Sequence, residues 1–206
     1  MKRKYNSLNR RKRSEETRAI VAEAAKELFK SRGFESVTID EIASKAEIPT
    51  PTVYALFKSK KGVLKEVMER ALFGQKYEAL VQQTREIAHP VERLRGVARI
   101  TRNVYDSERA EMNLLRSAAV VGPEFVELER EIEQRRFQRQ SVTIKQFDDG
   151  KTLRAGLSAG LARDILWALT CREPYRLLVV ERKWSPDRYQ KWLGDLLIGA
   201  LLGKSD

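Results

Sequence analysis

The sequence predicts an all-α chain in two parts: an N-terminal three-helix domain built around a helix-turn-helix, joined by a linker helix to a larger C-terminal helical domain. Three observations lead there. Apolar residues recur at three- and four-residue spacings along most of the chain, and no run alternates as a half-buried strand would. Ser or Thr stands ahead of several of these stripes, with Glu or Pro at the positions that start a helix. At 38–60, TIDEIASKAEIPTPTVYALFKSK, two short amphipathic segments follow each other across a tight turn.

In chain order, residues 1–13, MKRKYNSLNRRKR, are basic and aperiodic, and are expected as a mobile arm. Ser14 can cap the first helix, with Glu15 and Glu16 favourable in its first turn. Ile20, Val21, Ala24, Ala25, Leu28 and Phe29 form its apolar stripe, and Gly33 ends it. Phe34 and Val37 are expected to plug the small core.

The helix-turn-helix domain is read over 14–60. Thr38 and Glu41 form a capping box for a helix whose inner face is Ile39, Ile42, Ala43 and Ala46. Pro49 lacks an N–H and biases Ile48 away from helical angles, so the helix stops. Thr50 is expected as the next N-cap, with Pro51 at the first helical position. Val53, Leu56 and Phe57 would face inward. The leading edge, Thr50, Pro51, Thr52 and Tyr54, is small and hydroxyl-bearing, and Lys58, Lys60 and Lys61 follow. Such a helix can enter the major groove: its N-terminal residues meet base edges, and its hydroxyls bond bases or phosphates. The plainer reading is two amphipathic helices of an ordinary bundle.

The remainder, 61–206, is helical throughout. A linker helix is expected from Lys61 to about Glu86, broken by His89-Pro90. Helices over Val91–Tyr105 and Glu108–Val121 follow, then one opened by Pro123 and heavily charged from Glu127 to Arg139. Phe147-Asp148-Asp149-Gly150 is a turn, and Gly156, Ser158 and Gly160 mark a loose connection. A helix from about Ala159 carries Ile165, Leu166 and Leu169. Thr170 and Glu173 can form a second capping box, and Ser185-Pro186 caps the last helix.

Of the net charge of +11, residues 1–65 hold +8, from 16 Lys/Arg against 8 Asp/Glu. That basic excess coincides with the helix-turn-helix, as a phosphate footprint would. The single cysteine, Cys171, excludes an intrachain disulfide and fits a reducing cytoplasm. The N-terminus lacks the apolar run of a secretory signal, and the apolar stretches near 177–180 and 196–202 are too short to span a bilayer. No membrane role and no cofactor are expected.

The run Thr38-x-x-x-Ile42-Ala43-x-x-Ala46, then Thr52-Val53-Tyr54-x-x-Phe57-x-x-Lys60, resembles the DNA-binding domain of the TetR family of bacterial transcription regulators. Glu47 departs from the pattern: the family usually has Gly there, which accepts a left-handed angle at no steric cost. Trp167-Ala168-Leu169-Thr170-x-x-Glu173-x-Tyr175-x-Leu177-Leu178, Glu181-Arg182, Trp184-Ser185 and Trp192-Leu193 resemble the family's C-terminal half. The resemblance implies a DNA-binding regulator, expected as an effector-responsive repressor on a palindromic double-stranded operator. It implies DNA contacts from Thr38, Pro49, Thr50, Pro51, Thr52, Tyr54, Lys58 and Lys60, with Tyr54 and Lys60 on the phosphate backbone. It also implies a pocket for an unknown small-molecule effector among the middle helices, with Tyr105, Met112, Leu115, Phe125 and Trp167 as candidates that core packing would explain equally well.

The final helix is apolar over much of its girth: Tyr189, Trp192, Leu193, Leu196, Leu197, Ala200 and Leu201 follow one stripe. Such a helix needs cover on two sides, and a second copy of the chain is expected to supply it. Enzymatic readings find little support. His89 is the only histidine, no Ser/His/Asp set stands out, and Gly150-Lys151-Thr152 has Lys145 where a phosphate loop needs its first glycine. The alternative class is an all-α interaction or chaperone-like protein whose basic end meets acidic partners or RNA.

Overall fold

The computed structural model describes the backbone of residues 2–116 and 123–202, and their side chains except at 2–9, 11, 72, 75, 108, 110–116, 123–129 and 132. The described elements are α1 (Lys2–Arg32), α2 (Ile39–Ala46), α3 (Thr50–Phe57), α4 (Lys60–Phe73), α5 (Gln75–Glu86), α6 (Pro90–Arg116), α7 (Pro123–Asp149), α8 (Ala159–Leu169), α9 (Arg172–Tyr175), a π-helical turn over Arg176–Glu181, and α10 (Pro186–Leu201). Among the described residues there is no strand beyond one bridge between Leu153 and Leu202. The chain is all-α, as its periodicity requires. It divides into two compact units, the first built on Met1–Ala71 together with the end of α6 from Ala110, and the second on Leu72–Arg109 and Pro123–Asp206.

Helix α1 starts at Lys2, not at Ser14. Residues 2–13, read as an arm, continue it because nothing between 2 and 32 is Gly or Pro, and Lys and Arg are good helix formers. Gly33 ends the helix at φ 79°, with its N–H on the Phe29 carbonyl. Val21, Ala25 and Phe29 from α1, Phe34 and Val37 from the loop, Ile42 from α2 and Val53 from α3 close the core. The first unit also runs past the expected boundary at Lys60: Val63, Leu64, Val67 and Met68 of α4 are buried in it. The expected linker helix is interrupted at Gly74, whose extended conformation (φ −71°, ψ −171°) separates α4 from α5.

Helix α6 is one helix where two were expected, most of it in the second unit. Asp106 and Ser107 do not break it, since Asp106 pairs with Arg102 one turn earlier at 2.8 Å rather than capping a new start. The core collects Leu94 and Ala98 of α6, Ile144 and Phe147 of α7, Leu166 of α8, Tyr175, and Tyr189, Leu193 and Leu197 of α10. Gly194 of α10 faces α6, where a Cβ added to it would meet Arg95 and Ala98 at ordinary contact distance, 3.7 and 3.8 Å. The expected capping box at Thr170 does not form. Its hydroxyl donates back to the Leu166 carbonyl at 2.6 Å, and Cys171 takes the N-cap position without a side-chain bond. Ser185 caps α10 as expected, accepting from the Arg188 N–H at 3.2 Å.

Candidate nucleic-acid interface

The geometry around 38–60 follows from a few local bonds. Thr38 accepts the Glu41 N–H on its hydroxyl at 3.2 Å, and its own N–H donates to the Glu41 carboxylate at 2.8 Å. The Thr38 N–H first, then Arg32 at 2.8 Å and the Thr38 hydroxyl, hold the Glu41 carboxyl below the usual carboxylate range by donating to it. The Thr38 hydroxyl also donates to Glu41 at 3.1 Å, so its hydrogen is already used within the cap.

The turn is closed by Glu47 at φ 55°, ψ 34°, the left-handed position expected to favour Gly. The Ile48 N–H then reaches back to the Ala43 carbonyl at 3.0 Å, a Schellman-type closure. Pro49, not Thr50, is the N-cap of α3: its carbonyl accepts the Thr52 N–H at 2.8 Å, and no side chain caps the helix. Thr50 is therefore the first helical residue and Pro51 the second, where a missing N–H is still harmless.

Burial of Val53 and Phe57 fixes which way α3 turns. Pro51, Thr52 and Tyr54 come out exposed, Tyr54 at 48%, and Thr50 is half-buried beside them. This is a hydroxyl-bearing edge on a two-turn helix. Lys58, exposed and at φ 68°, ends it.

Lys60 sits differently. Its ammonium donates to the carbonyls of Phe34 at 2.9 Å and Glu35 at 3.2 Å, and lies 4.4 Å from the centre of the Phe34 ring. It ties the start of α4 to the α1–α2 loop. Two of its three protons are spent there.

Residues 21–67 match the family model of the bacterial regulatory proteins, tetR family. The N-terminal domain belongs to the TetR family. Solved structures extend the likeness to the fold of both units. SmeT, the repressor of the Stenotrophomonas maltophilia multidrug efflux pump SmeDEF, is 19% identical with a TM-score of 0.62 over 91% of each chain. SmeT in its triclosan complex is 18% identical at TM-score 0.67, over 92% of this chain and 93% of that one. FadR from Bacillus subtilis in complex with stearoyl-CoA is 19% identical at TM-score 0.63, over 88% of this chain and 98% of that one. No curated protein matches the sequence. The TetR-family motif and the two-unit fold thus agree with the resemblance read from the sequence.

The effector candidates are less uniform. Tyr105 is buried, donates to the Thr170 carbonyl at 2.9 Å and packs its ring 5.5 Å from Tyr175. Trp167 is 36% exposed, its ring 5.3 Å beneath Arg136, whose guanidinium also bonds the Trp167 carbonyl and the Thr170 hydroxyl. Met112, Leu115 and Phe125 have side chains outside the described residues.

The second unit also contains a polar cluster that the sequence reading missed. Arg102 pairs with Asp106 at 2.8 Å and Asp187 at 2.7 Å, and Asp106 accepts the Tyr175 hydroxyl. Burial, then the hydrogen bond to Asp106 and the Asp106 charge, push the Tyr175 hydroxyl far above its usual range. The Tyr175 ring stands 5.1 Å from that of Tyr189, whose buried hydroxyl has no hydrogen-bond partner among the described residues. No described group of three His, Cys, Asp or Glu side chains could hold a metal ion, and no described helix is long and apolar enough to cross a membrane.

The expected dimer stripe is divided by the fold. Tyr189, Leu193, Leu197 and Leu201 are covered within one chain, because α8 and the turn at 176–181 already supply cover for α10. Trp192, Leu196 and Ala200 stay half-buried. Leu161, at 51%, and Leu177, at 44%, are exposed on neighbouring elements.

Proposed function

We propose that this chain is a non-enzymatic, cytoplasmic transcription repressor that binds a palindromic double-stranded operator as a homodimer and is released by a small-molecule effector. The observation that carries the reading is the orientation of α3. With Val53 and Phe57 buried, Pro51, Thr52 and Tyr54 form an exposed edge, within a segment that holds most of the net positive charge. Base reading falls to Thr50, Pro51 and Thr52, and phosphate contact to Tyr54 and Lys58. Thr38 and Pro49 act by shaping the two helix starts. The cations of residues 2–13 add to the attraction for phosphate.

Effector and dimer functions are assigned to the second unit. The triclosan and stearoyl-CoA complexes of structures with this fold support an apolar small molecule held among its helices. Half-buried Trp192, Leu196 and Ala200, with exposed Leu177 close by in sequence, support a seam between two copies.

The test is selection of bound duplexes from random DNA, followed by sequencing. The expected result is an inverted repeat, its half-sites about one helical turn of 10 base pairs apart or a multiple of that. Binding should weaken steeply with salt. Recovery of no enriched sequence, or equal competition by RNA, would favour the interaction-protein alternative.

A further inference from the structure

We propose that Arg18, on α1, is a positioning residue for DNA reading: it sets the direction of α3 by holding that helix's C-terminal end against α4. The inference rests on the DNA-binding reading above. The bonds of Arg18 go to the far end of α3 and to α4, away from the exposed edge at its start. One terminal nitrogen donates to the Leu56 carbonyl at 2.8 Å, and the other pairs with Glu66 of α4 at 2.9 Å. Its guanidinium also lies 5.0 Å from the centre of the Phe57 ring.

Leu56 is in the last turn of α3, where carbonyls lack partners within the helix and the helix dipole is negative. A cation bonded there is favourable twice over. Glu66 is held in turn: its second oxygen accepts from Arg70 at 2.9 Å, and Arg70 reaches on to Glu15 of α1. The chain of charges runs from α1 to α4 and back to α1, with the end of α3 gripped between them. Gly62 completes the grip from the α4 side, since a Cβ there would collide with the Phe57 carbonyl.

Helix α3 needs such a grip. It has eight residues and no side-chain cap at its N-terminus. At 1.5 Å per residue, a rotation of about 10° about its middle would move its first turn by roughly 1 Å. Hydrogen bonds to base edges tolerate little of that, whereas charge attraction to phosphates at longer range tolerates it well. A loss of Arg18's bonds should therefore degrade reading far more than sticking.

The variants Arg18→Lys and Glu66→Gln test this in the full-length protein. Lysine keeps the charge but cannot bond both partners and stack on Phe57. Each variant is measured against the duplex that the wild type selects and against a random duplex of equal length, with thermal melting as a control on folding. Arg18→Lys should bind the selected duplex about tenfold more weakly and the random duplex within about twofold of wild type. Glu66→Gln should shift the same ratio in the same direction.

Equal losses on both duplexes, or no loss on either, would overturn the proposal. So would a Glu66→Gln variant that binds both duplexes more tightly, which would make Arg18 a phosphate ligand held back by Glu66. If Arg18→Lys melts far below wild type, the Glu66→Gln ratio alone decides. A wild type that selects no duplex refutes the DNA-binding reading itself, and is a different outcome from variants that fail to separate from it.

Discussion

The ammonium of Lys60 stands 4.4 Å over the ring of Phe34 while donating to that residue's own carbonyl at 2.9 Å. The contact gives two neighbouring lysines different work. Lys60→Ala should lower stability by about 1–3 kcal/mol, the range for losing charge-assisted bonds to carbonyls, and should weaken DNA binding chiefly through that loss. Lys58→Ala should leave the melting temperature unchanged and reduce the salt slope of binding by about 0.9. Melting curves and salt titrations of both variants separate the roles. A normal melt for Lys60→Ala together with a reduced slope would return Lys60 to the phosphate backbone.

A second consequence concerns the turn. Glu47 adopts φ 55°, which costs a residue with a Cβ about 1 kcal/mol relative to Gly. Glu47→Gly should therefore raise the melting temperature by roughly 2–4 °C, part of the gain being offset by the freer unfolded chain. The selected half-site should not change, since Glu47 lies outside α3. A lower melting temperature would mean that the Glu47 side chain contributes more than its backbone costs.

The sequence made the helix-turn-helix legible because its signals are local. Thr38 and Glu41 bond each other, Pro49 stops one helix beside the start of the next, and Val53, Leu56 and Phe57 share one face, of which Val53 and Phe57 are buried. The bonds of Lys60 were not legible for the opposite reason: its partners are the carbonyls of Phe34 and Glu35, and a backbone oxygen leaves no mark on composition. Arg18 was missed likewise, since Leu56 and Glu66 are 38 and 48 residues away. The stripe on α10 was visible, but not its partner. Periodicity says that a helix face must be covered, and only the fold says whether the same chain covers it.

That distinction can be measured on adjacent leucines. Leu197 is fully buried within the chain, and Leu196 is half-exposed. Leu197→Glu places an unpaired charge in the core and should cost more than about 4 kcal/mol, unfolding the second unit. Leu196→Glu should leave the fold intact and convert a dimer to monomers in sedimentation. If Leu197→Glu stays folded and becomes monomeric, α10 turns its other face to the seam.

The last prediction concerns Tyr189. Its ring is buried between Tyr175 and Trp192, at centroid distances of 5.1 Å and 5.8 Å, and its hydroxyl finds no described partner. A buried hydroxyl without a partner carries a desolvation cost of about 1–3 kcal/mol, so Tyr189→Phe, which keeps the ring, should stabilise the second unit by about 1 kcal/mol near neutral pH. Burial also pushes the hydroxyl far above its usual value, with the neighbouring Cys171 and Tyr175 adding to it. The sign follows from linkage. Above about pH 10 the unfolded chain releases the phenolic proton and the folded chain keeps it, so stability falls as pH rises from there. Tyr175, raised in the same way, contributes a similar fall. Denaturant melts at pH 7 and pH 10.5 should show the wild type losing more stability than Tyr189→Phe over that interval, with Tyr175 accounting for what the variant still loses. If the variant is less stable at pH 7 by 1 kcal/mol or more, the hydroxyl has a bound partner, such as an ordered water, whose loss outweighs the relief.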